Sequence, residues 1–67
     1  MINANKIKAR IVELGMNQAD IAEKMSMAQP TLSQKINNLR PMDLDEAEKL
    51  SKILSISESC FCDYFFA

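Results

Sequence analysis

Two short segments with a helical spacing of apolar residues are separated by only three residues, positions 26–28. The first segment covers residues 18–25 and the second covers residues 29–37. Helices of about eight residues are unstable alone, so both must pack against the rest of the chain. A three-residue connection makes the two helices cross steeply, with small side chains such as Ala22 and Ala28 where the backbones meet. The apolar residues expected to hold this pair onto the remaining helices are Ile21, Met25, Met27, Leu32 and Ile36.

The remaining chain is also predicted to be helical, because one glycine and two prolines leave little turn chemistry for hairpins. A first helix is expected over residues 3–14, ended by Gly15. A fourth begins after Asp43, which forms a D-x-x-E capping box with Glu46, and a short fifth helix follows. The sequence therefore predicts an all-α, compact five-helix fold in a single domain, residues 1–67. The residues expected on the buried faces of the first and fourth helices are Ala4, Ile7, Ile11, Leu14, Leu44, Ala47, Leu50 and Leu54.

The composition argues against an enzyme or a metalloprotein. The chain has no histidine, no glycine-rich phosphate loop and no nucleophile beside a base. Cys60 and Cys62 supply too few ligands for a zinc site. They are expected as reduced thiols, with an intermolecular disulfide or a soft-metal site as the alternatives. Helix capping and a solvated face explain the acidic residues at 43–48, so no metal, cofactor or small-molecule ligand is predicted.

The termini carry no sign of export or membrane insertion. The first ten residues are charged where a signal sequence would be apolar, and no run approaches the ~18 apolar residues of a membrane span. We therefore expect a cytoplasmic protein that is not associated with a membrane. The start at Met1 and the aromatic C-terminal end suggest a complete chain.

The net charge of -1 conceals an uneven distribution. Residues 1–40 carry six basic and three acidic side chains, whereas residues 41–67 carry two basic and six acidic ones. This asymmetry suggests a half that faces an anion, backed by an acidic half.

The stretch "MNQADIAEKMSMAQPTLSQKINN" resembles the Cro/cI-type helix-turn-helix family, the lambda-repressor-like domains of phages and many bacterial regulators. The resemblance rests on Gln18 at the start of the first motif helix, on "DIAEKM" with Ala22, on the apolar turn residue Met27 and on "TLSQKIN" as the recognition helix. It extends over about residues 4–56, and "DYFFA" looks like the ending of small phage repressors of Gram-positive hosts. The chain departs from the family pattern at three positions, Ser26 (commonly glycine), Ala28 (often serine) and Lys35 (often a buried aliphatic residue).

The resemblance implies a sequence-specific transcriptional regulator, and most directly a phage-type repressor. It also implies a bacterial host cell and association with its nucleoid. The regulator would bind a pseudo-palindromic double-stranded DNA operator as a homodimer, with the third helix in the major groove. The resemblance also implies that Gln18 contacts a phosphate and braces the side chain of Gln29. Pro30 is either a groove contact or a stiff first turn. The residues expected to reach base edges are Gln29, Pro30, Ser33 and Gln34. Those expected to contact phosphates or position the backbone are Gln18, Thr31, Lys35, Asn37, Asn38 and Arg40.

The C-terminal segment, residues 57–67, contains all the aromatic residues. They are expected either to plug the core or to contact a second subunit, and both roles can coexist with Phe61 directed inward. The residues expected at a dimer contact are Phe61, Tyr64, Phe65 and Phe66. A protein-interaction module of the same fold, antirepressor-like or antitoxin-like and using this aromatic end, is the alternative function. The near-neutral charge is its main support.

Overall fold

The computed structural model describes residues 1–66, and these form five helices without a β-strand. The helices are α1 (Ala4–Glu13), α2 (Gln18–Lys24), α3 (Gln29–Ile36), α4 (Leu44–Ile53) and α5 (Glu58–Phe65). The predicted all-α five-helix fold is confirmed. In the same part of the chain, no helix has the length and apolar character needed to cross a membrane. Ala67, the last residue of the predicted C-terminal segment, lies outside the described residues.

Two of the helices begin with reciprocal capping boxes. The backbone N–H of Asp20 donates to Asn17 Oδ1 at 2.9 Å, and the N–H of Asn17 donates to Asp20 Oδ2 at 3.1 Å. Asp43 and Glu46 repeat the arrangement at the start of α4, at 2.8 and 3.1 Å. Each cap satisfies backbone donors that the helix itself leaves without partners and stabilises the fold by about 1 kcal/mol.

Four of the helices end through residues in the left-handed region of backbone space. Gly15 has a φ of 69°, and Ser26, Asn38 and Ser55 have φ values of 55°, 61° and 53°. Only the first of these is a glycine, the residue that adopts this conformation without steric strain. The chain therefore reverses direction sharply after α1, α2, α3 and α4, and the short connections bring the helices together.

The core is formed by apolar side chains from all five helices and from the ends of α2 and α4. Ile7, Ile21, Leu32, Ile36, Leu50 and Leu54 are enclosed completely. Ile11, Ala22, Met25, Ala47 and Phe65 complete the buried set.

Two expectations for the core were wrong. Leu44 is 58% exposed, because helical side chains tilt toward the N-terminus and its position in the first turn directs it past the edge of the core. Phe65, one of the residues expected at a dimer contact, is enclosed in the core and only 4% exposed, while Phe61 packs partly buried against the core. Phe61 is half-buried and stacks on Phe65 with ring centroids 4.6 Å apart.

The N-terminal segment is held on both sides by residues distant in sequence. The backbone N–H of Ile2 donates to Asn38 Oδ1, and Asn38 Nδ2 donates to the carbonyl of Ile2, both at 2.9 Å. The N–H of Asn3 donates to the carbonyl of Tyr64 at 2.8 Å. Further along α1, Arg10 Nε donates to the carbonyl of Leu54 at the end of α4, at 2.9 Å. These bonds fix α1 between the end of α3 and the two C-terminal helices.

Candidate nucleic-acid interface

The connection between α2 and α3 is a tight turn anchored on the core. Met25 ends α2, and the left-handed Ser26 turns the chain so that the N–H of Met27 donates to the carbonyl of Ala22 at 3.0 Å. Met27 is half-buried against the core, and Ala28 is the N-cap residue of α3. Ala28 has no side-chain oxygen for the cap, so no side-chain bond closes the start of α3. The turn fixes the direction of α3 through packing and backbone bonds alone.

The outward face of α3 is polar, while its inward face is enclosed. Leu32 and Ile36 are completely buried. The predicted base-contact residues, Gln29, Pro30, Ser33 and Gln34, lie together on the other side of the helix, where all are exposed except the half-buried Ser33. Pro30 occupies the first turn of α3, where its missing N–H is harmless.

The two glutamines of this face have unoccupied amide groups. Within residues 1–66, neither Gln29 nor Gln34 makes a side-chain hydrogen bond, so both can donate and accept toward a ligand. The predicted brace between Gln18 and Gln29 is also absent from this part of the chain, and Gln18 is half-buried at the start of α2. Thr31 is half-buried on α3. The amides available for base recognition are therefore those of Gln29 and Gln34.

The side chains of the predicted phosphate contacts Asn37 and Asn38 make hydrogen bonds to other residues of the chain, although Asn38 is exposed. Asn37 ends α3, and its Nδ2 donates to the carbonyl of Ser33 at 2.8 Å while its Oδ1 accepts from Lys8 Nζ at 2.7 Å. Both polar atoms of the Asn38 side chain bind the backbone of Ile2. These two side chains stabilise the end of α3 and the N-terminal segment, a role that the sequence did not indicate.

Lys35 is engaged as well. Its ammonium group forms an ion pair with Glu46 Oε2 on α4, and the two side chains are only 16% and 22% exposed. A lysine at a position that faces α4 extends past the apolar residues to reach this carboxylate, with its methylene stem packed along them. The charge predicted for a phosphate is therefore neutralised by a neighbouring helix, and Lys35 fixes α3 against α4.

Two other cations lie near the C-terminal end of α3. Arg40 is exposed, and no carboxylate among residues 1–66 lies within ion-pair distance of it. The backbone N–H groups of Leu39 and Arg40 both donate to the carbonyl of Gln34, at 2.8 and 3.3 Å, which holds this segment against the helix. The second cation is Lys8 of α1, through its bond to Asn37.

Lys8 was missed by reasoning from the sequence. It has no acidic residue at helical spacing, but the same holds for Lys6, so the pattern of α1 does not distinguish them. Its position beside α3 depends on a contact across 29 residues of sequence. No signal in the sequence gives that contact.

The comparisons with known proteins give one match. A helix-turn-helix family model matches residues 7–59, from the middle of α1 to the first turn of α5. No curated protein matches the chain, and no solved structure matches it.

Proposed function

The chain belongs to the Cro/cI-type helix-turn-helix family of DNA-binding transcription regulators, and we propose that it acts as a phage-type repressor that recognises a pseudo-palindromic operator. In this proposal α3 enters the major groove and α2 lies across the backbone. No catalytic step is involved.

The observation that carries the proposal is the pair of unoccupied amides on the outer face of α3. Gln29 lies at the N-terminal tip, the end that reaches base edges in this docking mode, and Gln34 lies more than one turn further along. A glutamine amide can bind N6 and N7 of adenine at once, which discriminates against a wrong base by roughly 1–3 kcal/mol. Pro30 and Ser33 complete the proposed base contacts, with Thr31, Gln18 and Arg40 proposed for the backbone.

The size of the domain supports the proposal of a homodimer. Its principal extents are 28 × 25 × 20 Å, whereas the two halves of a palindromic site are about 34 Å apart. One copy therefore covers one half-site, and a symmetric operator requires a second copy. Of the four aromatic residues considered for the dimer contact, Phe65 is buried within its own chain and Phe66 is 63% exposed. Phe66 is thus the strongest candidate of the four.

Selection of bound duplexes from a random pool tests the proposal directly. The unaltered chain should enrich a symmetric site, and Gln29→Ala and Gln34→Ala should each relax the base preference at one position per half-site. Lys49→Ala, which removes an exposed side chain from α4, is the control and should return the original site. Unchanged base preferences in both glutamine variants would refute the assignment of α3.

The interaction module of the same fold is the second candidate, supported by the exposure of Phe66 and by the net charge of -1. Retention on random-sequence DNA at low salt separates the two functions. A DNA-binding repressor is retained, because nonspecific binding depends on phosphate contacts. Elution in the void volume would favour the interaction module.

A further inference from the structure

We infer that Lys8 of α1 is a phosphate-binding residue of the DNA surface, held at the C-terminal end of α3 by Asn37. The inference rests on the proposed function, since it assigns a further contact to the same surface. It adds a residue outside the helix-turn-helix pair to the set that meets the DNA backbone.

The position of the ammonium group is fixed by α3 itself. Asn37 Nδ2 donates to the carbonyl of Ser33 at 2.8 Å and lies 3.4 Å from its hydroxyl. With the amide nitrogen bound to its own helix, Asn37 Oδ1 turns toward α1 and accepts from Lys8 Nζ at 2.7 Å. Lys8 is half-buried, so the side chain is already ordered before DNA arrives. Ordering in advance reduces the conformational entropy lost when a phosphate binds.

The hydrogen bond to Asn37 does not neutralise the charge of Lys8. Lys35 is neutralised by Glu46. Arg10 forms an ion pair with Glu13, with 3.5 Å between Arg10 Nη1 and Glu13 Oε2. Lys8 binds a neutral amide instead, and no carboxylate among residues 1–66 lies within ion-pair distance of it. An ammonium group has three N–H donors, and Asn37 accepts from one. Two donors and a full positive charge are left for an anion.

The dipole of α3 also favours a cation at the C-terminal end of this helix. The C-terminal end of α3 carries the negative end of the helix dipole, which repels a phosphate. Lys8, bound to Asn37, and the exposed Arg40 lie near this helix end and counter that potential. The sequence-based prediction assigned the phosphate contacts at this end of α3 to Lys35, Asn37, Asn38 and Arg40. The side chains of the first three bind other groups of the chain instead.

The salt dependence of DNA binding separates phosphate binding by Lys8 from a role limited to stabilising the end of α3. The test uses Lys8→Met, which retains a chain of similar length without the charge, and Lys8→Arg, which retains the charge. Lys6→Met is the matched control. Lys6 is an exposed lysine on the same helix, rotated by about 200° from Lys8, with its Nζ 5.0 Å from the ring centroid of Tyr64.

The measurement is the association constant with a random-sequence duplex at several salt concentrations, together with the thermal midpoint of each variant. If Lys8 binds a phosphate, Lys8→Met reduces the magnitude of the slope of log K against log salt by about 0.9 per subunit. Lys8→Arg and Lys6→Met leave the slope unchanged. Lys8→Met with an unchanged slope would overturn the inference, even if its midpoint falls, because that result leaves only the capping role. Equal slope losses in Lys8→Met and Lys6→Met would overturn it as well.

Failure of the proposed function looks different in the same experiment. In that case the unaltered chain does not bind the duplex even at low salt, and the inference falls with it. If the unaltered chain binds the duplex with a measurable salt dependence, the comparison of the variants tests only the role of Lys8.

Discussion

The substitution Glu46→Gln should destabilise the domain more than any other single change of an acidic side chain. Glu46 has two functions at the start of α4. Its Oε1 accepts from the N–H of Asp43 to close the capping box, and its Oε2 binds the ammonium group of Lys35. A glutamine can retain the cap through its single oxygen, but it then presents an amide NH2 group to Lys35. The variant therefore keeps the helix start and leaves a largely enclosed cation without its partner.

The magnitude follows from the exposure of the pair, 16% for Lys35 and 22% for Glu46. Exposed ion pairs contribute about 0.2–1 kcal/mol, whereas removing one partner of a fully buried pair costs about 3–5 kcal/mol. A pair with this intermediate exposure should lie between these ranges, and we expect a loss of roughly 2 kcal/mol. For a domain of this size that loss lowers the thermal midpoint by about 8–16 °C. It is a large share of the roughly 3–5 kcal/mol that a core of this size supplies.

Urea or thermal unfolding followed by circular dichroism measures this loss, with Glu48→Gln as the control. Glu48 is an exposed carboxylate on the same helix, and its substitution should change stability by less than about 0.5 kcal/mol. Lys35→Met and the double variant complete a mutant cycle, in which we expect a coupling energy of at least about 1 kcal/mol. A coupling energy indistinguishable from zero would refute the reasoning, and Lys35 would then be available to a phosphate as the sequence suggested.

Four further substitutions have expected outcomes in stability or assembly. Ser26→Gly relieves a left-handed serine and should raise the free energy of unfolding by about 1 kcal/mol in urea titrations. Ala28→Ser supplies the missing N-cap oxygen of α3 and should add a similar ~1 kcal/mol without changing the selected operator, so a loss of stability would contradict the cap geometry. Phe66→Ser should shift sedimentation toward the monomer at unchanged stability, whereas Phe65→Ala should cost about 3–5 kcal/mol because it empties the core.

The helix boundaries could be predicted from the sequence to within one or two residues because they depend on neighbours in the chain. Asp43 and Glu46 are three residues apart, and their capping box can be recognised without knowing the fold. The errors occurred where tertiary packing decides. Leu44 matches the spacing of the buried stripe but lies beyond the edge of the core, and the choice between Phe61 and Phe65 depends on how α5 meets α1 and α4.

The candidate site also has features that could be predicted from local sequence and features that could not. The outward position of Gln29 and Gln34 follows from the 100° rotation per residue and from the burial of Leu32 and Ile36, so the polar face of α3 could be predicted. The hydrogen-bond partners of the surrounding polar groups could not be predicted. The bonds of Asn37 to Lys8 and of Asn38 to Ile2 join residues 29 and 36 positions apart. Such contacts appear only when the fold brings the segments together.

Two of the six cations of residues 1–40, Arg10 and Lys35, are paired with carboxylates, and this has a quantitative consequence. Lys8 and Arg40 are the cations near the end of α3, so the proposed dimer would offer them to about four phosphates. At about 0.9 per phosphate, the slope of log K against log salt should be about 3.6 in magnitude, a loss of affinity of only about 100-fold between roughly 50 and 200 mM salt. In the proposed complex, most of the affinity for the operator then comes from the amides of α3 and from the second subunit. A measured slope near 8 would show that further cations reach the DNA and would contradict this assignment.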